Sequence, residues 1–268
     1  MTRKANWVSV LLMCALLFAV QARADTSPGT TTISATSFMD FTDVTQNSNG
    51  SATNAQGYGI DVKRFYFGVD HSFDDVWSAN LTTDINYTKA SGETQLFVKK
   101  VFVQAKFNQA ATFRLGSADM PWIPFDESIY GYRFVENTLI DRLHFGNSAD
   151  WGVHFLGSNG WSNYAVSLVN GGGYKNPGRT KSMDWEGRWA FYPVSGLVIA
   201  LGGYTGDLGQ NTATTPALHT ANRQDALIAY KTSVVTLGAE YFHANNFTPT
   251  AVTTNATDAA SGYSLFGS

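Results

Sequence analysis

Basic side chains recur at polar positions of otherwise apolar runs along the sequence. A first set of such residues comprises Arg64, Lys100, Lys106, Arg114 and Arg188. Charged groups that face water in a narrow passage select ions and solutes by size and charge, so this set could line such a passage. Alternatively, these residues only solvate a polar wall and pair with acids on neighbouring runs, namely Asp70, Asp84 and Glu186.

A second charged set lies within one long stretch, residues 118–149. Asp126 and Glu127 could oppose Arg133 across a constriction, where the transverse field would orient solutes and filter them by charge. The other interpretation is a solvated loop, and the stretch holds more acids than bases. Its aromatic residues could either bind sugars or anchor the loop to a wall; they are Trp122, Phe125, Tyr130 and Tyr132.

Other residues of catalytic type lack the spacing that catalysis requires. Asp74 and Asp75 lie in a tight turn, and turn chemistry accounts for them. The five histidines show no metal-ligand spacing, and the glycine run at 171–173 is not followed by the Lys-Ser/Thr of a phosphate-binding loop. No Ser-His or Asp-His grouping repeats at strand-end spacing. The sequence therefore predicts no enzyme, with no catalytic residue, metal or cofactor.

Alternating β-strands are the elements that would position these charges. Residues 77–87 place apolar and polar side chains on opposite faces for eleven residues, enough to cross a membrane as a tilted strand. The same alternation predicts twelve strands, at 31–43, 58–72, 76–88, 95–107, 112–117, 150–157, 161–170, 183–192, 196–205, 222–231, 234–244 and 262–268.

The links between these strands alternate between long and short. Tight links separate the long ones, which are 44–57, 118–149, 171–182, 206–221 and 245–261, with 89–94 intermediate. Outer-membrane barrels have short periplasmic turns and long extracellular loops, whereas a soluble sandwich has no reason to sort its links this way. The predicted fold is therefore all-β, a transmembrane antiparallel β-barrel whose long loops lie outside the cell.

The composition agrees with a barrel that has a wet lumen. Aromatic residues make up 14 % of the 268 residues and charged residues 15 %, against roughly 25 % charged in average globular proteins. The formal net charge is −3, and it becomes −6 without the three basic residues of the N-terminal segment. This acidic balance argues against nucleic acid as a partner.

The N-terminal segment has the form of a secretory signal peptide. Arg3 and Lys4 precede an apolar run from Trp7 to Val20, and Ala-Arg-Ala at 22–24 fits the cleavage pattern. The one cysteine, Cys14, lies in that run, so the mature chain would have no disulfide. The predicted organisation is a signal peptide at 1–24 and one outer-membrane β-barrel at 25–268.

Several stretches resemble the family of phosphate-selective porins O and P. The likeness runs from about residue 58 to residue 210 and begins with a basic strand and turn, VKRFYFGVD at 62–70 and FDD at 73–75. It continues through the strand that leads into the third loop of those porins and through two later hairpins, at 113–116 with 120–125, 150–153 with 169–174, and 187–193 with 203–206.

This resemblance implies a 16-stranded barrel, usually trimeric, whose third loop folds inward and narrows the pore. By position it assigns a phosphate-lining role to Arg64, Lys100 and Arg114. Twelve strands would be most of such a porin. The final residues, YSLFGS at 263–268, lack a terminal aromatic, which predicts that the closing strands are missing from this sequence.

The expected function is passive diffusion of small hydrophilic solutes across the bacterial outer membrane, through a pore narrowed by residues 118–149. The family suggests anions or phosphate as the solutes, with uncharged or mixed solutes as the alternative. Outer-membrane lipid and two further copies of the chain are the expected partners. A non-conducting structural or adhesin barrel and, less favoured, a hydrolase barrel are the other hypotheses.

Overall fold

The computed structural model describes residues 29–49, 51–52, 56–88 and 93–268. The predicted signal peptide, 1–24, lies outside the described residues, as do parts of the links 44–57 and 89–94. All remaining predicted strands and links can be compared with the structure.

Twelve strands form one antiparallel sheet in which each strand pairs with the next one along the chain. A separate small sheet in the first link pairs two strands of two residues each, β2 at Asn47–Ser48 and β3 at Ser51–Ala52. This arrangement confirms the predicted antiparallel succession of strands. The strands are β1 Thr30–Val44, β2 Asn47–Ser48, β3 Ser51–Ala52, β4 Gly57–Ser72, β5 Trp77–Thr88, β6 Glu93–Asn108, β7 Ala111–Asp119, β8 Ala149–Ser158, β9 Ser162–Val169, β10 Asp184–Phe191, β11 Leu197–Gly206, β12 Ala221–Lys231, β13 Thr236–Asn245 and β14 Ala259–Gly267.

The two faces of the sheet differ because side chains alternate along each strand. On β13, Leu237 and Tyr241 are 55 % and 49 % exposed, whereas Glu240 and Phe242 are buried on the opposite face. The exposed apolar side forms the surface that a barrel presents to lipid. Strands β1 and β14 are the two edges of the sheet, which is not closed between them in the described part of the chain.

The long link after β7 contains two helices that the strand pattern does not predict. Helix α1 spans Ile123–Tyr130 and helix α2 spans Leu139–Arg142. A third, α3, spans Pro249–Thr253 in the link before β14. Proline lies in the first turn of both helices, at the second residue of α1, Pro124, and at the first residue of α3, Pro249, where its fixed φ favours helix initiation. None of the helices in the described ranges is long and apolar enough to cross a membrane.

The link 120–148, called the constriction loop below, folds back onto the inner face of β10–β13. Its buried apolar side chains form the main core together with alternate residues of those strands. That core contains Trp122, Ile123, Ile129, Ile140, Phe145, Ala190, Val198, Ala200, Leu227, Ala229, Phe242 and Ala244. The small alanines on the strands leave the room that the larger side chains of the loop occupy.

Candidate functional site

A cavity of 520 Å³ lies between the constriction loop and the inner face of β4–β7. Four of its lining residues are basic and three are acidic, namely Lys99, Lys100, Arg114, Arg133, Asp70, Asp119 and Glu127. Most of the basic groups belong to the sheet, whereas Glu127 belongs to the loop. The sheet wall of the cavity therefore carries three cations against two carboxylates, and it faces Glu127 and Arg133 on the loop.

Two predicted residues, Lys100 and Arg114, share one acid at the end of β7. The ammonium of Lys100 lies 3.1 Å from Oδ2 of Asp119, and Nη1 of Arg114 lies 3.9 Å from the same oxygen. Arg114 also donates from Nε to the side chain of Gln104, at 2.9 Å. One carboxylate therefore balances two cations, and the wall keeps a positive surplus here.

Lys99 is a cavity residue that the alternating pattern misses. Strict alternation places Lys99 on the apolar face with Val101. The pairing of β5 with β6 matches Thr82 with Lys100 and Thr83 with Val98, so Lys99 is the extra residue of a β-bulge. Bulges redirect side chains in this way. The lysine ammonium lies 3.5 Å from the Tyr66 hydroxyl and 4.7 Å from the ring centre.

Arg64 lies on the inner face near the same cavity but is bound to a buried acid. Its Nη1 donates to Oδ2 of Asp84 at 2.9 Å, and Asp84 is fully buried. This pair matches the alternative interpretation, in which a basic residue of the wall neutralises a neighbouring acid. Arg64 consequently contributes less free positive charge than Lys99, whose ammonium contacts the Tyr66 hydroxyl.

Glu127 and Arg133, which the sequence suggested as opposed charges across the constriction, lie together on the loop side of the cavity. Nε of Arg133 lies 2.5 Å from Oε1 of Glu127, and its Nη2 lies 3.3 Å from Asp141. Burial raises the pKa of Glu127 despite the neighbouring guanidinium, which acts in the other direction. Glu127 and Arg133 line the cavity as one ion pair, so they do not oppose each other across it.

Asp126 differs from the expectation because it faces away from the cavity. Successive residues of a helix point about 100° apart, and here Glu127 lines the cavity whereas Asp126 points elsewhere. Asp126 is fully buried on the wall side of α1, beside Glu240 of β13 and Thr138. Burial, followed by the charge of Glu240, raises the pKa of Asp126 well above its usual range.

Arg188 anchors the constriction loop and does not line the cavity. Its Nε donates to the backbone oxygen of Pro121 at 2.7 Å, and its guanidinium lies 3.9 Å from the ring centre of Phe125. Next to it, the backbone N–H of Trp122 donates to Oε1 of Glu186 at 2.9 Å. Trp122 is 2 % exposed, and this burial supports the interpretation in which its side chain anchors the loop to the wall.

Of the predicted set, the structure brings Lys100, Arg114, Glu127 and Arg133 into one cavity. Lys106 lies elsewhere, exposed near the tight turn between β6 and β7. Residues that could hold a metal are also dispersed: the structure shows no group of three or more potential ligands within the ranges it describes.

A histidine–serine contact on the inner face was not predicted. Nδ1 of His154 lies 2.8 Å from Oγ of Ser167, across the β8–β9 pair. Both residues are 1 % exposed, and Nε2 of His154 has no hydrogen-bond partner among the described residues. A nucleophile needs access for its substrate and a third group that orients the base. This pair has neither in the described part of the chain.

No protein-family model matches this chain, and no curated protein sequence is similar to it. The resemblance to phosphate-selective porins O and P therefore receives no support from these comparisons. Solved structures with a similar fold include bacterial outer-membrane proteins of low sequence identity.

Two of these structures are forms of OmpT, an outer membrane protein of Vibrio cholerae. The form that lacks loop L8 aligns with a TM-score of 0.51 and 13 % identity, over 90 % of this chain and 76 % of its own. The in-vitro folded form gives 0.50 and 12 %, over 91 % and 72 %.

A third is OmpF of Salmonella typhi, in a complex with daunomycin. It aligns with a TM-score of 0.52 and 9 % identity, over 81 % of this chain and 66 % of its own. At such identities a likeness establishes the fold alone. The chain has the fold of the outer-membrane β-barrel proteins.

Proposed function

We propose that this protein is an outer-membrane porin that allows passive diffusion of small hydrophilic solutes through a water-filled pore. The observation that carries the proposal is the 520 Å³ cavity between the constriction loop and the charged wall of β4–β7. A polar passage inside an apolar outer surface is what a diffusion pore requires. The loop narrows the passage because it packs on the inner face of β10–β13 and so occupies part of the interior.

The charges around the cavity favour anions moderately over cations. Lys99, Lys100 and Arg114 stand on the wall, and Glu127 stands opposite on the loop. Positive groups at a constriction attract anions, and the opposed carboxylate creates a field across the passage that orients polar solutes. The pairing of Arg64 with Asp84 and of Lys100 with Asp119 limits this preference. We therefore propose general anion preference, without dedicated phosphate selectivity.

A structural or adhesin barrel, the first alternative, would have no reason to keep several cations beside an internal cavity. The hydrolase alternative has one observation in its favour, the His154–Ser167 contact. Their burial argues against it, and we propose that the protein is not an enzyme. Outer-membrane lipid around the exposed apolar face and assembly as a homotrimer belong to the same proposal; the trimer remains a prediction from the family resemblance.

Two measurements test the proposed function. Liposomes that contain the folded protein should swell in isotonic solutions of small sugars and of small anions, because both enter through the pore. In a planar bilayer with a KCl gradient, the reversal potential should have the sign of chloride preference. A cation preference would contradict the proposed charge selectivity, and failure to swell would contradict the pore.

A further inference from the structure

A second site lies outside the 520 Å³ cavity, between Arg223 on the inner face of β12 and the C-terminal end of the constriction loop. Arg223 is 8 % exposed, and its Nε is buried without a hydrogen-bond acceptor among the described residues. Its guanidinium lies 4.3 Å from the ring centre of Tyr204, a contact that supplies no hydrogen-bond acceptor for Nε. Buried charged donors are nearly always hydrogen-bonded, because leaving them unmet costs free energy. Arg223 therefore lacks an acceptor.

The nearest acids do not supply that acceptor. Glu186 and Asp225 interact with Arg223 electrostatically, but neither forms a hydrogen bond or close ion pair with it in the described structure. Asp184 is occupied by other donors: the Tyr204 hydroxyl and the backbone N–H of Asp207, the latter at 2.8 Å. These carboxylates compensate the charge of Arg223 and leave its donors available.

Arg223 opens into a cavity of 350 Å³ at the end of the sheet that carries the long links. The wall contains one arginine and one histidine, His144, and no carboxylate among its described residues. Amides supply much of the remaining polar surface. The side chains of Asn147 and Asn170 line the cavity and form no hydrogen bond with other described residues, so their N–H groups are also available.

Glycines fix the shape of this cavity. Gly171 and Gly209 have φ values of 85° and 70°, in the left-handed region that favours glycine. A Cβ at Gly209 would lie 2.8 Å from the backbone of Gly172, and one at Gly171 would lie 1.8 Å from Oδ2 of Asp184. The links after β9 and β11 therefore pack closely, and the walls of the cavity are preorganised.

We propose that this cavity binds a small hydrophilic solute through a carboxylate or phosphate oxyanion, with Arg223 as the principal donor and Asn147 and Asn170 as supporting donors. Arginine matches the planar, oxygen-rich geometry of such groups, and a charge-assisted hydrogen bond is about twice as strong as a neutral one. The site goes beyond the proposed pore, because binding at this position does not depend on conduction.

Calorimetric titration of the folded full-length protein in detergent tests the site, with glucuronate, inorganic phosphate and glucose as probes. Glucose matches the ring of glucuronate without its carboxylate. We expect saturable binding of glucuronate, of phosphate or of both, and no saturable binding of glucose. Binding of phosphate alone would mean that the site recognises the oxyanion itself. Binding of glucuronate alone would mean that the site contacts the sugar ring as well as the carboxylate.

Two substitutions and one control decide whether the proposed donors are responsible. Arg223→Gln and Asn170→Asp should each weaken oxyanion binding at least tenfold. Asn170→Asp leaves Arg223 and its buried acids in place, so it serves even where Arg223→Gln fails to fold. Arg179→Gln removes a cation from the same link without removing a lining residue and should change affinity less than twofold. The proposal is overturned by binding that survives both substitutions, by glucose binding as tightly as glucuronate, or by wild-type protein that binds neither oxyanion.

Discussion

Trp122 occupies a space that exists because residue 202 is glycine: a Cβ built at Gly202 would lie 2.3 Å from Cε3 of Trp122. The indole is the most deeply buried aromatic group of the constriction loop and packs on β11 at this point. The attachment of the loop therefore depends on a close approach between a side chain and the backbone of the wall.

Gly202→Val should displace Trp122 and loosen the loop. Overpacking of this kind costs roughly 1–3 kcal/mol, so we expect a lower unfolding temperature. Because the added side chain pushes the loop away from β11 and toward the passage, we also expect a smaller single-channel conductance. Gly187→Val is the matched control: it adds the same side chain to the outward face of β10, where the nearest atoms lie 3.9 Å away. Equal effects of the two substitutions would contradict the proposed attachment.

Lys99→Glu should reduce the preference for anions. The substitution replaces a cation of the cavity wall with an anion opposite Glu127, so the reversal potential in a KCl gradient should shift toward cation preference. Lys106→Glu makes the same change in charge at an exposed position outside the cavity and should shift the potential less. A shift of equal size in both variants would mean that net charge, and not position in the cavity, sets selectivity.

Lys99 also illustrates where sequence reasoning ends. Period-two alternation predicted the strands, because a half-buried sheet imposes that period on any sequence. The same alternation does not identify Lys99, since an extra residue in a bulge changes the face of its neighbours and leaves no clear mark in composition. Lys100 and Arg114 were identified correctly as inner-face residues because they lie in register with the alternation.

The constriction loop was predicted by its length, but its interior arrangement was not. Helix α1 is short, and its conformation depends on packing against β10–β13, which is a tertiary effect. Without that helix, neighbouring acids such as Asp126 and Glu127 cannot be assigned to opposite sides. For the same reason Arg188 resembled a pore-lining residue, although its partner is the backbone of Pro121, 67 residues away.

Protonation of Asp126 should stabilise the loop against the wall. Burial first, and then the charge of Glu240, raise the pKa of Asp126. The groups around it include Glu127, Thr138 and, near Glu240, Asp225. Because the folded state holds the proton more tightly than the unfolded state, stability is greatest at low pH. It declines as the pH rises from the ordinary carboxyl pKa toward the raised value.

Thermal unfolding between pH 5 and pH 8 measures this effect. The wild-type unfolding temperature should fall across the range, and Asp126→Asn should flatten the slope because the amide stays neutral. Glu136→Gln is the control, since Glu136 is exposed and the backbone N–H of Asn137 lowers its pKa. An unchanged slope in Asp126→Asn would contradict a role for this proton.

Lys231 should slow hydrogen exchange at the C-terminal end of α1. Its ammonium donates to the backbone oxygens of Ser128 and Ile129, at 2.7 and 3.1 Å. A cation at this end of a helix satisfies free carbonyl groups and interacts favourably with the helix dipole. Lys231→Met should therefore speed hydrogen exchange of the amides in 123–131, whereas Lys106→Met should not. Equal exchange in wild type and Lys231→Met would contradict the contact.

Single-channel recording of the folded wild-type protein in a planar bilayer tests the central claim most directly. A porin with a constriction loop should give discrete conductance steps, and these steps should become smaller in Gly202→Val and stay unchanged in Gly187→Val. A folded, membrane-inserted protein that gives no conductance steps would contradict the proposed pore and would support a sealed, non-conducting barrel.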